Sequence, residues 1–231
     1  ERLQQGYLIQ RYKRFLVDIR LASDEILTAH CPNTGSMKNC LVPGAPAWFS
    51  FSADEKRKYP ATWEIATTAD GHLAGINTAR ANRLVREALE TGLAPTLAGY
   101  ESLRHEVIYG SEGSRVDFLL HINGQPVYLE VKSVTLAEQD GCGYFPDAIS
   151  ARGARHLREL AAMAKAGHRA VLVYCVQHTG IAQVAVASHI DPVYAAAFYQ
   201  AVDQGVEAIA LGARISAEEI TLDRLLPVIM N

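Results

Sequence analysis

Ser114-Arg115-Val116-Asp117-Phe118-Leu119-Leu120-His121-Ile122-Asn123-Gly124-Gln125-Pro126-Val127-Tyr128-Leu129-Glu130-Val131-Lys132 reads as two strands joined by a tight turn. Side chains alternate across a strand, so Val116, Phe118 and Leu120 are expected on one face and Arg115 and Asp117 on the other. In the same way Val127, Leu129 and Val131 share a face, which leaves Tyr128, Glu130 and Lys132 opposite. Asn123-Gly124 is a favoured pair for a two-residue hairpin loop, whose backbone both residues tolerate. With these two as the loop, Ile122 pairs with Gln125 and paired positions sum to 247. Asp117 then lies directly opposite Glu130, with Lys132 two residues further along the same face. Pro126, beside the turn, is the feature able to widen the loop and slip this register.

Two carboxylates set face to face repel unless a cation lies between them. A hard divalent ion, magnesium or manganese, suits oxygen ligands of this kind. A lysine beside such a site can orient or activate water, or stabilise charge on a phosphorane-like transition state. The same residues also fit an exposed hairpin in which Lys132 merely neutralises its neighbours.

Outward from the hairpin, residues 103–109 add a preceding strand. Ala81, Leu84, Val85 and Ala88 recur at helical spacing before it, after Asn77-Thr78 as a cap and with Gly92 as a stop. A second helix is expected over 152–166, with Gly167 ending it. Residues 170–176 form a continuous apolar strand of the kind buried on both faces. Asp191-Pro192 opens a further helix, and a strand–helix–strand remainder closes the chain. That order is an α/β (α+β) layer around a mixed sheet. Toward the other end, residues 6–15, 15–21, 26–30, 47–52 and 62–67 read as short strands broken by Pro32, Gly35, Pro43, Gly44 and Pro46. So many short strands in so little chain suggest a small OB-like barrel, with a boundary near residue 76.

Composition sets the outer limits. The 231 residues are 49% apolar and 20% charged, which excludes wholesale disorder. No apolar run is long enough to span a bilayer and no secretory signal pattern opens the sequence. Cysteines 31, 40, 142 and 175 form no CxxC, so reduced thiols and a cytoplasmic setting are expected. The net charge of −3 is unevenly placed: residues 1–75 carry nine cations against eight anions, and 76–231 carry thirteen against seventeen. A polyanion would have to choose one side of the molecule.

A helix, a strand bearing Asp117, Glu130-Val131-Lys132 on the next strand, then helix and strand is an order that resembles the PD-(D/E)XK nuclease core. The chain also resembles the sugar fermentation stimulation protein A family nearly end to end. The matching stretches are Arg11-Tyr12-Lys13-Arg14-Phe15, His30-Cys31-Pro32-Asn33-Thr34-Gly35-Ser36-Met37, Gly75-Ile76-Asn77-Thr78, Ser114-Arg115-Val116-Asp117-Phe118, Glu130-Val131-Lys132, Phe145-Pro146-Asp147-Ala148 and Gly167-His168-Arg169-Ala170. The resemblance implies an OB-like β domain over 1–75, a PD-(D/E)XK nuclease-like domain over 76–231, and DNA binding. It implies Asp117 and Glu130 as ligands of Mg2+ or Mn2+, the Val131 carbonyl as a further ligand, and Lys132 as the catalytic lysine. Glu87 stands where such nucleases add an acid from the first core helix, with Glu106 in reserve. The family name, taken from an effect on sugar utilisation, implies the alternative of a non-catalytic DNA-binding regulator of sugar-utilisation genes on a nuclease fold.

Binding surfaces are expected where cations meet aromatics. Arg11, Lys13 and Arg14 interleave with Tyr12 and Phe15, so the cations can follow phosphates while a ring stacks on a base. Lys56, Arg57 and Lys58 beside Tyr59 repeat that composition. On an edge strand the same cations would only guard against aggregation. Arg152, Arg155 and His156 fall on one side of the second helix, either holding the scissile strand or solvated. The turn-rich residues 30–37 and the glycine-containing loop 140–146 are candidate site loops. DNA is thus the expected partner, single- or double-stranded, and symmetric cleavage of a duplex would require a homodimer.

Overall fold

The computed structural model describes residues 3–138 and 141–230. Turn residues interrupt each apolar run in the first third of the chain, so its strands are short. They are β1 (Gln4–Tyr12), β2 (Leu16–Arg20), β3 (Ile26–His30), β4 (Pro46–Phe51), β5 (Ala61–Thr67) and β6 (Leu73–Gly75). Their order is β3-β2-β1-β4-β5-β6, and a parallel bridge from His30 to Thr62 joins β3 to β5. This closes the first five strands into the expected OB-like barrel. Val17, Ile19, Phe49 and Trp63 fill it, all fully buried. Gly6 is what lets β1 close on β2: a Cβ there would meet Ile19 Cγ2 at 2.4 Å.

The strand expected over 6–15 ends early. Lys13 and Arg14 take positive φ values of 49° and 64° and turn the chain from β1 into β2. Alternation therefore does not govern their side chains.

The rest of the chain builds an α/β layer from α1 (Ala81–Glu90), β7 (Ser102–Tyr109), β8 (Ser114–Ile122), β9 (Gln125–Val134), β10 (Leu136–Ala137), β11 (Cys142–Phe145), α2 (Ala151–Lys165), β12 (Arg169–Val176), β13 (Gln183–Val186), α3 (Pro192–Asp203), β14 (Glu207–Ile215), β15 (Ile220–Leu226) and β16 (Val228–Ile229). Its main sheet runs β15-β14-β12-β9-β8-β7, with β12 parallel to both of its neighbours. A smaller sheet, β10-β11-β13-β16, lies beside it. No helix follows α3 among the described residues; the remainder expected to contain one continues as strands, because residues 204–230 hold no sustained helical period.

Both faces of the main sheet are covered. On one, Leu84, Val85 and Ala88 of α1 pack with Phe118, Leu129 and Val173. On the other, Leu157 and Leu160 of α2 and Phe198 of α3 pack with Leu119, Leu172 and Tyr174. Full burial of a side chain such as Leu129 contributes roughly 1.5–3 kcal/mol. The hairpin is therefore an interior element, not an exposed ribbon.

Its register is the expected one. Phe118 pairs with Leu129, Leu119 with Tyr128, Leu120 with Val127, His121 with Pro126 and Ile122 with Gln125. Asn123 and Gly124 take φ values of 50° and 72°, as the tight turn demands. One facing assignment fails: Val116 packs in the α2/α3 cluster, whereas Phe118 and Leu120 pack in the α1 cluster. The β7–β8 ladder skips Glu106 and Asp117, and Glu106 has a φ of 51°, so strict alternation breaks at Asp117.

Barrel and layer are stitched together by backbone. Gly75 N–H donates to Gln177 O at 2.9 Å and Thr179 N–H to Leu73 O at 2.9 Å. Asn39 Nδ2 adds a bond to Ala137 O at 2.8 Å. The four cysteines are free and buried. Among the described residues no helix is long and apolar enough to cross a membrane.

Candidate functional site

Asp117 sits where β8 loses its regular alternation, and this turns its carboxylate to the end of β9. Oδ2 accepts the Val131 N–H at 2.7 Å, and Oδ1 accepts Asn82 Nδ2 of α1 at 2.8 Å. Glu130 lies on the adjacent strand, 2% exposed. Its Oε1 accepts Lys132 Nζ at 2.7 Å and also meets His156 Nδ1. His156 is itself buried, and its Nε2 accepts Arg152 Nε at 3.3 Å, which leaves Nδ1 as the donor toward Glu130. β9 and α2 thus bring a carboxylate, an ammonium and an imidazole onto one oxygen atom.

The other oxygen, Glu130 Oε2, is buried and has no hydrogen-bond partner among the described residues. An unpaired carboxylate oxygen in a low-dielectric interior is costly unless something cationic or donating reaches it. The two carboxyls respond differently to this setting. Burial, reinforced by the negative Glu130, raises the Asp117 pKa against the pull of its two donors. Burial also acts to raise Glu130, but the His156 hydrogen bond and Lys132 outweigh it and hold that carboxyl below its ordinary value. The setting thus favours the charged form at Glu130 and opposes it at Asp117. Glu159, also buried, has one unpartnered oxygen as well, but its other oxygen caps the Glu112 N–H at 2.8 Å in the β7–β8 turn. Among the described residues no cluster of three or more His, Cys, Asp or Glu side chains is arranged to hold a metal. A cation here would rest on Asp117, Glu130 and backbone or solvent oxygens.

A cleft of about 480 Å³ opens beside these groups, between barrel and layer. Asn82, Val131 and Lys132 form its inner wall, Asn33, Thr34 and Gly35 the barrel side, and the segment from Tyr144 to Ser150 the outer lip. Ser36 Oγ and Met37 N–H donate to Asp147 Oδ2 at 3.3 and 3.4 Å, tying the two sides together. The loop 30–37 and the Phe145-Pro146-Asp147-Ala148 stretch therefore meet across this cleft.

The remaining candidates divide. Glu87 is not brought to the carboxylates: it pairs with Arg83 at 2.8 Å on the outer side of α1 and lines a separate cavity. The α1 residue that reaches Asp117 is Asn82. Glu106 is exposed, and its carbonyl accepts Arg115 Nη1 at 3.4 Å. Arg11 does not track open surface; its guanidinium binds the carbonyls of Arg14, Asn33 and Gly35 at 2.7, 2.8 and 3.2 Å. Tyr12 donates to Asp18 at 3.2 Å. Lys13 and Arg14 are exposed on the turn, and Arg14 lines the cleft. Lys56, Arg57 and Lys58 lie in the β4–β5 connection, where Arg57 donates to Thr62 and Lys58 stands over the Tyr59 ring. Arg152 is exposed, Arg155 half-buried and His156 buried, so these three do not share one solvent side. Of the loop 140–146, Asp140 lies outside the described residues, and Tyr144 and beyond line the cleft.

Sequence reasoning missed Asn82 and the grip of His156 on Glu130. Asn82 follows Ala81 in the first turn of the helix, on the side facing β8. His156 falls one turn past Arg152, so the spacing was visible but its burial was not.

The comparisons with known proteins agree with this architecture. The model of the "sugar fermentation stimulation protein RE domain" matches residues 79–219, and that of the "SfsA N-terminal OB domain" matches residues 9–76. A sugar fermentation stimulation protein homolog of Pseudomonas putida strain W619 is 57% identical over 230 residues, covering 99% of this chain and 97% of that one. The homolog of Pseudomonas syringae pv. syringae strain B728a is 57% identical over 227 residues, covering 98% and 96%. A solved structure of Pyrococcus furiosus SfsA in complex with Ca2+ superposes with a TM-score of 0.89 at 27% identity, covering 99% of this chain and 96% of that one.

Proposed function

The chain belongs to the sugar fermentation stimulation protein family, and from that premise we propose that it binds DNA and cleaves it with a metal-dependent phosphodiester-hydrolysing site at Asp117, Glu130 and Lys132. The observation that carries the reading is the buried, unpartnered Oε2 of Glu130, a residue whose charge acts on Asp117. Such an atom fits a cation, and the oxygen donor set suits magnesium or manganese. The Ca2+ in the Pyrococcus furiosus protein is a hard ion of the same preference. Asp117, Glu130 and the Val131 carbonyl would hold the ion. When bound there it would supply Lewis-acid polarisation of a phosphate oxygen.

The chain's own residues then have distinct tasks. Asn82 and the Val131 N–H fix the Asp117 carboxylate through one bond to each oxygen. His156 and Lys132 hold Glu130 Oε1 and so keep Oε2 turned away from them. Lys132 lines the cleft, where its ammonium can orient a water molecule and offset charge developing on a phosphate. The cleft itself brings the DNA backbone to that ammonium.

One observation favours a second reading, a DNA-binding protein without turnover. Lys132 is already engaged by Glu130 at 2.7 Å, as a charge-neutralising lysine would be. The two are separated by incubating purified protein with supercoiled, linear, branched and single-stranded DNA, with and without magnesium or manganese, beside Asp117→Ala and Lys132→Ala. Metal-dependent cleavage lost in both variants is the expected result. Salt-sensitive binding without cleavage on every substrate would leave the non-catalytic reading.

A further inference from the structure

Building on the proposed DNA-cleaving site, we infer that the cleft takes a single unpaired DNA strand and that Ile149 at its lip is the wedge that parts this strand from its neighbour. Three observations converge. The first is that the walls of the cleft are tied together. Barrel and layer are joined across it through Ser36, Met37 and Asp147, and at its flank through Asn39 and Ala137. Gly35 lies so close to Asp147 that a Cβ would meet its Oδ2 at 2.3 Å, so the walls are in direct contact there. A space of about 480 Å³ between walls tied in this way falls in the range of sites for one small ligand or a few nucleotides.

The second is the chemistry of the lining. Arg14 supplies positive charge from the barrel side, Lys132, paired with Glu130, lines the inner wall, and Tyr144 and Phe145 supply aromatic surface. Phe145 is braced from behind by the Tyr194 ring, 5.2 Å away. The one acid of the lining among the described residues, Asp147, accepts from the Ser36 hydroxyl and the Met37 N–H. Cations for the backbone and rings for the bases are how single strands are held without sequence readout.

The third is Ile149. It is 82% exposed, the most of any large hydrophobic side chain among the described residues, and it lines the cleft mouth. Singly exposed apolar residues are ordinary, but the backbone beside this one is anchored. Ser150 N–H donates to Asp191 Oδ2 at 2.7 Å, and the Ser150 side chain caps α2 through Gly153 N–H at 3.1 Å. Proteins that kink or open a duplex use such a side chain, Ile among them, pushed between base steps. The preferred substrates are accordingly single strands and duplexes with a single-stranded end or branch.

The test uses fluorescence anisotropy with metal chelated, on a labelled single strand, the blunt duplex and the same duplex with an overhang, with 2-aminopurine at the junction. The wild-type protein should bind the single strand and the overhang about tenfold or more tighter than the blunt duplex. Junction 2-aminopurine should brighten on binding, lose that response in Ile149→Ala and keep it in Ile149→Met. Arg14→Ala should weaken single-strand binding about tenfold. Equal affinity for blunt duplex and single strand, or an unchanged 2-aminopurine response in Ile149→Ala, would overturn the inference. Cleavage is read in a separate magnesium arm: selective strand binding without cutting supports this inference while overturning the nuclease reading, and no binding to any DNA overturns both.

Discussion

Glu64 in the barrel and Glu130 in the main sheet are each 2% exposed, and both are carboxylates held below their ordinary pKa against the effect of burial. They differ in how their oxygens are used. Glu64 Oε1 accepts Ser50 Oγ at 2.7 Å and Arg80 Nη2 at 2.8 Å. Its Oε2 accepts Arg80 Nε at 2.6 Å and Asn77 Nδ2 at 2.9 Å. That residue is a rivet between β5 and the turn entering α1, and nothing is left over for a ligand. Glu130 concentrates two donors on one oxygen and leaves the other bare. Burial and charge are common to both, so neither marks a site. The unfilled acceptor is what distinguishes Glu130, whose chain neighbours Val131 and Lys132 line the cleft.

The sharpest way to break this contrast is to remove each group and ask what is lost. Asp117→Asn should lower metal-dependent cleavage about 100-fold or more in an initial-rate assay, without lowering the melting temperature. Arg80→Ala should do the reverse. It strands Glu64 as a buried, partly compensated charge and should cost about 3–5 kcal/mol in urea unfolding, with the residual folded protein still cutting DNA.

Acidity separates the carboxylates further. Because Glu64 and Glu130 have folded pKa values below their ordinary ones, they stabilise the fold above the usual carboxylate range. That contribution disappears as pH falls through their lowered values. Asp117 has the opposite sign: its raised pKa favours the fold at low pH, and this is lost as pH rises through the raised value. Asp117→Asn should therefore melt higher than the parent at pH 7 in the absence of metal, and the difference should shrink toward pH 3. A parent and variant that melt together across that range would remove the electrostatic strain assigned to the pair. The smallest effect is expected from Glu87→Ala. It breaks an exposed i,i+4 pair with Arg83, should change stability by no more than about 0.5 kcal/mol, and should leave cleavage unchanged.

Much of the site was legible because the hairpin is governed by short-range rules. Asn123-Gly124 set the turn and the turn set the register as far as Phe118 and Leu129; the facing pair expected at Asp117 and Glu130 is not part of that ladder, and Asp117 instead accepts the Val131 N–H. The barrel followed from the density of turn residues, and β12 from an apolar run that the structure buries completely from Ala170 to Val176. The failures have a common cause in backbone geometry at residues that do not advertise it. Glu106, Lys13 and Arg14 adopt positive φ although none is glycine. At Glu106 this undoes the alternation that put Val116 with Phe118, and at Lys13 and Arg14 it converts a supposed strand into a turn. Arg11 was misread because a cation's partners were backbone carbonyls far along the chain, at Asn33 and Gly35. Glu87 was chosen by type, as the acid of the first helix, whereas geometry gives that helix's contact with Asp117 to the neutral Asn82.

The central claim is that Glu130 Oε2 and Asp117 form a seat for a hard divalent ion. It is tested most directly by titrating Mn2+ into the protein by calorimetry and by the loss of the free-ion paramagnetic resonance signal. One ion per chain is predicted, with Asp117→Asn and Glu130→Gln each weakening binding at least about tenfold and Glu87→Gln leaving it unchanged. No bound ion, or the same affinity in all four proteins, would contradict the account.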